Sequence, residues 1–332
     1  MTESRHLQNK KRVSGVLNDI TAANCEQQIR SLMARDVVWN GPHPINTQSG
    51  CDALMSNHYA PLFKSLPDLE RRDDILLGGE WKQRDWVCAT GHYIGTFAAD
   101  WLGIPANGKQ IRIRYGEFYR VEADHAVECY VLLDLLEVLD QVGIRLIPVQ
   151  LGEKLVVPGP STGDGLQLHD NPAAESDKSA RLVHEMIDDL MRFDPVKRDY
   201  SAMRHARCWH EDMRWYGPSG IGTTYGIDGF IDRHQRPFLT AFPDRKGGFA
   251  HGSRIADGRY VGSTGWPSVV ATHSGVWLGV APTNKRIGMR VMDFWRRDGD
   301  RFRENWVFID MVDLLLQMGV DLFARIRTGA AS

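Results

Sequence analysis

Trp39-Asn-Gly-Pro42 is answered by Trp215-Tyr-Gly-Pro218, an offset of 176 residues (39 to 215), and this echo decides the architecture. The offset persists along the chain. His58 and Pro61 match His234 and Pro237, Leu66-Pro67-Asp68 matches Phe242-Pro243-Asp244, and Trp101-Leu-Gly103 matches Trp277-Leu-Gly279. Lys109, Phe118, Arg120, Glu128 and Asp134 are answered by Lys285, Phe294, Arg296, Glu304 and Asp310, and Gln141-Val-Gly143 by Gln317-Met-Gly319. A collinear series of this kind is a tandem duplication. Only around Gly91 and Gly265 does the offset slip, to 174 (91 to 265), a loop-sized difference. The segment Val157-Pro-Gly-Pro-Ser-Thr-Gly-Asp-Gly165 between the copies is rich in turn formers and reads as a linker. The chain therefore divides into a first domain over 8–150, a linker over 151–178 and a second domain over 179–327.

Each copy opens on helical periodicity. In Arg181–Arg192 the apolar residues Leu182, Val183, Met186, Ile187, Leu190 and Met191 form one stripe. Alternating strands follow, with Asp124 and Asp298-Gly-Asp300 as hairpin signals between the last two. Helices first and a mostly antiparallel sheet afterwards make an α+β fold.

Composition narrows the partners. The 332 residues carry a formal net charge of −2, which supplies no basic field for nucleic acid or an anionic membrane. No apolar run reaches the length of a membrane span, and the polar N-terminus lacks the core of a signal peptide. Cys25, Cys51, Cys88, Cys129 and Cys208 are scattered and odd in number, which points to a reducing compartment. A cytoplasmic protein acting on a small molecule is the expectation.

Parity along the strands selects candidate chemistry, because side chains alternate between faces. Ile111, Ile113, Tyr115, Glu117 and Tyr119 share a face opposed by Arg112, Arg114 and Arg120. In the second copy Ile287, Met289, Val291, Asp293 and Trp295 are opposed by Arg290 and Arg296. An acid among apolar and aromatic neighbours in both copies suggests a desolvated carboxyl group in a pocket. On the last strand Glu128, Tyr130, Leu132 and Asp134 share a parity, as do Glu304, Trp306, Phe308 and Asp310. Pairing across the hairpin is expected to bring Asp134 to Glu117, and Asp310 to Asp293, in one cavity. The competing readings are that Asp134 and Asp310 cap the helices that follow them, and that Glu117 and Asp293 sit in buried ion pairs with arginines.

Other chemistries find little support. His205 and His210 around Cys208 do not share a helix face, and no HExxH or CxxC spacing occurs, so no metal is expected. Gly217-Pro-Ser-Gly-Ile-Gly222 lacks the strand-to-helix setting of a dinucleotide loop. Ser161, Ser219 and Ser263 lack a nucleophile elbow.

The stretch Ala271-Thr-His-Ser-Gly-Val-Trp-Leu-Gly-Val-Ala-Pro-Thr-Asn-Lys285 resembles the Gly-Thr-His…Leu-Gly-Ile-Pro-Pro-Thr-Gly-Lys signature of SnoaL-like polyketide cyclases, a branch of the nuclear transport factor 2-like superfamily. The first copy carries it as Gly95-Thr-Phe97 and Leu102-Gly-Ile-Pro-Ala-Asn-Gly-Lys109, and both copies share the family's ending of aromatic, aspartate and Gln-x-Gly. The resemblance implies two cone-shaped α+β barrels, each with helices wrapped on a curved sheet whose concave side holds a pocket. It implies a lyase or isomerase that closes rings by intramolecular aldol chemistry without metal or cofactor. The aspartate that acts as acid and base would correspond by motif position to Asp134 and Asp310.

It also implies dimer-like association of the two copies within one chain, with further homo-oligomers open. Phe97 replaces the histidine that His273 keeps, and Asn284 replaces the glycine that Gly108 keeps, so the two pockets are expected to differ. The catalytic candidates are Asp134, Asp310, Glu117 and Asp293. The substrate-binding candidates are Trp39, His58, His92, Tyr115 and Tyr130 in the first copy and Trp215, His234, His273, Trp295 and Trp306 in the second. A binding protein without chemistry, and a hydrolase or dehydratase, are the alternatives.

Overall fold

The computed structural model describes residues 3–147, 149–247 and 251–328, without the side chain of His251. Each copy contributes one curved sheet. In the first, β1 (Met33–Asn40), β2 (Thr47–Ser49), β3 (Glu70–Trp81), β4 (Arg84–Thr96), β5 (Gln110–Glu122) and β6 (His125–Leu133) take the order β2-β1-β6-β5-β4-β3. In the second, β7 (Trp209–Tyr216), β8 (Thr223–Tyr225), β9 (Lys246–Gly247), β10 (His251–Asp257), β11 (Tyr260–Thr272), β12 (Arg286–Asp298) and β13 (Arg301–Ile309) take the order β10-β11-β12-β13-β7-β8, with β9 on β11. Among the described strands, β1 pairs with β6 and β7 with β13 in parallel, and the other pairs are antiparallel. The α+β class is as read from the sequence, but the sheets stay open: each is a curved cone wall rather than a closed barrel.

The repeated motifs hold the same joints in both halves. Asp68 of the Pro-Asp turn accepts from the Thr96 amide at 2.6 Å and hydroxyl at 2.7 Å, and Asp244 does the same with Thr272 at 2.7 and 2.8 Å. Gln141 of Gln-x-Gly hydrogen-bonds the edge of β5 like one more strand residue, donating to Arg112 O at 2.7 Å and accepting from Arg112 N at 2.9 Å. Gln317 repeats this on Gly288 at 2.8 and 2.9 Å. Gly143 and Gly319 sit at φ 84° and 89°, a left-handed conformation that ends each final helix at little cost only for glycine.

The concave side of each sheet is covered by its own helices, and the outer faces of the two sheets pack on each other. That inter-sheet core contains Leu77, Trp86, Cys88, Phe118 and Leu132 from the first half and Ile255, Tyr260, Met292, Phe294, Trp306 and Phe308 from the second. Phe118 and Phe294, matched positions of the repeat, meet across it at 5.5 Å. Lys10 of the first helix (Arg5–Asn18) reaches Asp257 of the second half at 2.6 Å, both buried. The segment 151–178 is laid along both sheets: Leu76 N donates to Gly165 O at 3.0 Å, and Trp306 Nε1 to Pro158 O at 2.8 Å. Its last residues already belong to the helix Ala173–Leu190.

Asp134 and Asp310 lie in a reciprocal clasp between the halves. Asp134 caps the helix Leu135–Gln141 through Glu137 N at 3.1 Å and accepts from Ser219 N of the other half at 2.7 Å. Asp310 caps Met311–Gln317 through Asp313 N at 3.1 Å and accepts from His43 N of the first half at 3.0 Å, with Arg290 at 3.0 Å. Burial still pushes both carboxyl groups up, Asp310 to about 6, against the lowering effect of these donors. Asp134→Ala or Asp310→Ala is expected to cost about 2 kcal/mol, a lost cap plus an unpaired amide across the interface. Urea unfolding of each variant measures it.

Candidate active site

The register of the hairpins settles which residues share a cavity. Glu117 pairs with Val131 and Asp293 with Val307. Cone-facing positions on the last strands are therefore Cys129, Val131 and Leu133 in the first half, and Asn305, Val307 and Ile309 in the second. The parity that carries Asp134 and Asp310 faces the other way. The expectation that Asp134 meets Glu117, and Asp310 meets Asp293, is overturned: the acids of each pair lie on opposite faces of the sheet.

Tyr130 and Trp306 lie with them on the inter-sheet side, Tyr130 against Trp266 at 5.5 Å and Trp306 against Tyr216 at 5.4 Å. His92 shares that side of β4 with Trp86 and Cys88 and faces Asp74 at 3.3 Å, not the cone. His273 is fully buried, its Nδ1 3.1 Å from Thr283 Oγ1 and its ring against Phe242 at 5.4 Å, outside the cavity lining. These four substrate-binding expectations fail for one reason: each side chain is used in packing elsewhere.

The first cone is filled. Glu117 accepts from Arg71 at 2.7 Å, from Tyr119 OH at 2.8 Å and from Tyr93 OH. Arg71 also pairs with Asp73 at 2.8 Å and lies over the Tyr115 ring at 4.4 Å, while Tyr115 OH donates to Asp73. Trp39 stacks on His58 at 4.6 Å. Here the ion-pair reading of the acid is the one that holds.

The second cone is open, and the repeat explains it. Cross-strand pairing makes Gly247 the counterpart of Arg71, since Arg71 pairs with Tyr93 and Gly247 with Val269, and Tyr93 and Val269 pair with the matched Ile113 and Met289. Gly247, Val269, Val291 and Gln235 stand where the first copy has Arg71, Tyr93, Tyr115 and Tyr59. Each replacement is smaller, and all four line a cavity of about 200 Å³. A Cβ on Gly247 would meet nothing closer than 3.8 Å. Gly247→Arg is therefore expected to refill the cavity and pair with Asp293 as Arg71 does with Glu117. A crystal structure of the variant, with loss of any ligand binding at this site, checks it.

Asp293 is the acid of this cavity. It is half-buried, lining the cavity with Val291 and Trp295, and accepts from Asn305 Nδ2 at 3.3 Å, while Asn305 Nδ2 also donates to Phe294 O at 3.1 Å. Burial raises its pKa to about 7; the Asn305 amide and the Arg254 cation act in the opposite direction but do not cancel it. Arg254 occupies the position of Leu76 in the first copy, with Nε 3.4 Å from Ser263 Oγ. Trp215 and His234 form the floor, stacked at 4.1 Å with an interplanar angle of 19°, and burial lowers the His234 pKa to about 3, so the ring is neutral. His234 lies in the π-helical turn Ile231–Gln235, a backbone irregularity common at functional sites.

Of the residues chosen from the sequence, the structure brings Asp293, Trp215, His234 and Trp295 together around this cavity and leaves Glu117, Trp39, His58 and Tyr115 in the filled cone. Sequence reading missed Arg245, Arg254, Gln235 and Asn305. Their signal was available in the aligned copies, where polar groups replace Leu69, Leu76, Tyr59 and Cys129. Among the described residues no group of three His, Cys, Asp or Glu side chains converges as a metal site, and no helix is long and apolar enough to cross a membrane.

Comparison with known proteins agrees with the duplication. A comparison with curated proteins gives no match. Among solved structures, AclR from Streptomyces galilaeus is 25% identical over 43% of this chain and 97% of its own, with a TM-score of 0.35. IdmH from Streptomyces antibioticus is 18% identical over 41% of this chain and 99% of its own, with a TM-score of 0.35. An NTF2-like protein from Burkholderia thailandensis E264 is 19% identical over 40% and 95%, with a TM-score of 0.32. The family model for SnoaL-like polyketide cyclases matches twice, over residues 11–142 and 196–318. The chain belongs to the SnoaL-like polyketide cyclase family, as a tandem pair.

Proposed function

We propose that the second half is a general acid/base site and the first half its structural partner. Asp293, as carboxylate, takes a proton from a carbon next to a carbonyl group. The enolate so formed is stabilised by the Arg254 cation, and protonated Asp293 returns the proton to a different carbon or to the oxygen left by ring closure. That sequence is isomerase or lyase chemistry, and it needs no group beyond the side chains named. The observation that carries the reading is one half-buried, desolvated carboxyl group poised near pH 7 in an open aromatic cavity, where a proton shuttle works best. Asn305 is a positioning residue, its amide fixing one carboxyl oxygen. Neutral His234 and the tryptophans exclude water and hold the flat face of a substrate.

The test is loss of α-deuterium from deuterated cyclohexanone or 4-oxocyclohexanecarboxylate, followed by NMR. The rate is expected to rise with pH through an apparent pKa near 7 and to be unaffected by changes at Asp134 or Asp310. Exchange no faster than buffer with both ketones, or full exchange in Asp293→Asn, would contradict it. A protein that only binds gives the first of these results.

A further inference from the structure

The same cavity holds a cation that the proton-transfer step does not use. Arg245 lines the wall near His234 and lowers the pKa of both His234 and His205 by its charge. Its Nη2 donates to Leu190 O at 2.9 Å and approaches Met203 Sδ at 3.9 Å. A guanidinium has five N–H donors, so most remain for another acceptor. Among the described residues Arg245 has no carboxylate partner. Asp189, on the same helix as Leu190, is taken by Arg192, Arg204 and Arg207 at the helix end. In the first copy the matched position is Leu69, so the cation belongs to the open cone alone.

A second observation points to the same occupant. Gln235 is 6% exposed, lines the cavity, and its Oε1 is buried with no hydrogen-bond partner. An unpaired buried acceptor costs about 1–3 kcal/mol, which a donor on a ligand would recover. The remaining wall is apolar: Met186, Leu190, Phe230, Phe238, Met289 and Val307. The cavity of about 200 Å³ is smaller than the roughly 300–1,000 Å³ of sites for drug-sized ligands, whereas roughly 150 Å³ suffices for one benzene ring. A single ring with one small anionic substituent fits this space and this charge.

Resting on the acid/base reading of the cone, we propose that the substrate is a monocyclic carboxylic acid, its carboxylate held by Arg245 and a hydroxyl or amide donor by Gln235 Oε1. One fixed planar cation suits the two oxygens of a carboxylate. The space beside these residues accommodates one ring. The carboxylate anchors the ring so that its reacting carbon is presented to Asp293; the bond changes remain those of the proton shuttle above.

Binding of benzoate, benzamide and inorganic phosphate, measured by calorimetry on the full chain, tests the proposal. Benzoate is expected to bind at least tenfold tighter than benzamide, and phosphate not to compete. Arg245→Gln should erase the preference for benzoate over benzamide; Arg245→Lys should keep part of it. Equal affinity for benzoate and benzamide, phosphate displacing benzoate, or an undiminished preference in Arg245→Gln would overturn the proposal. Asp293→Asn separates the two ideas. Benzoate selectivity retained in that variant is expected. Deuterium exchange of cyclohexanone dependent on Asp293 without benzoate selectivity would sink only the carboxylate proposal. Selectivity without any exchange would sink only the acid/base reading.

Discussion

Asp293→Asn is expected to lower proton-transfer turnover by about 10²–10⁴-fold and, at the same time, to make the protein more stable at pH 8. Both effects follow from one carboxyl group. Its pKa in the folded chain, about 7, lies above the ordinary 3.8, so between these values the folded state holds a proton that the unfolded state has released. The contribution of this carboxyl group to stability therefore falls as pH rises from about 4 to 7 and is level above that, a loss of up to about 4 kcal/mol. Asparagine cannot ionise and keeps the shape and the contact with Asn305. Wild type and variant should unfold together near pH 4 and separate by several degrees at pH 8, the variant higher. Thermal unfolding at the two pH values reads the sign directly, and a variant less stable at pH 8 would mean that the ionised carboxylate is well compensated.

The matched change in the first copy should do the reverse. Glu117→Ala is expected to destabilise the protein by about 3–5 kcal/mol and to leave exchange activity per folded molecule unchanged. Arg71 would keep Asp73 but lose Glu117, and Tyr93 and Tyr119 would lose the acceptor for their buried hydroxyl groups. Urea unfolding measures the loss. A change under about 1 kcal/mol would mean that the network contributes packing only. Opposite outcomes at two repeat-related positions would show that duplication freed one copy to become a support.

The duplication, the hairpins and the face of β5 and β12 that carries Glu117 and Asp293 were legible in the sequence, because a repeat offset and a period of two survive without knowledge of packing. The side of the last strand was not. Both faces of β6 and β13 are apolar, one lining the cone and one the inter-sheet core, so parity alone could not say that Val131 and Val307, rather than Tyr130 and Trp306, look into the cone. The aspartates at the ends of these strands, Asp134 and Asp310, share that ambiguity. Asymmetry between the copies was expected from Phe97 and His273, yet His273 packs outside the cavity. The residues that open it are Gly247, Val269, Val291 and Gln235, and their effect appears only when strand pairing shows what each replaces.

The most direct test of the account is the ¹³C titration of side-chain carboxyl groups in wild type and in Asp293→Asn. Burial raises Glu137 to about 7 as well, so the account predicts two resonances titrating near pH 7, of which one is lost in Asp293→Asn and retained when Asp134 or Asp310 is changed to asparagine. A resonance lost in Asp293→Asn that titrates below about pH 4, the range of an ordinary aspartate, would contradict it.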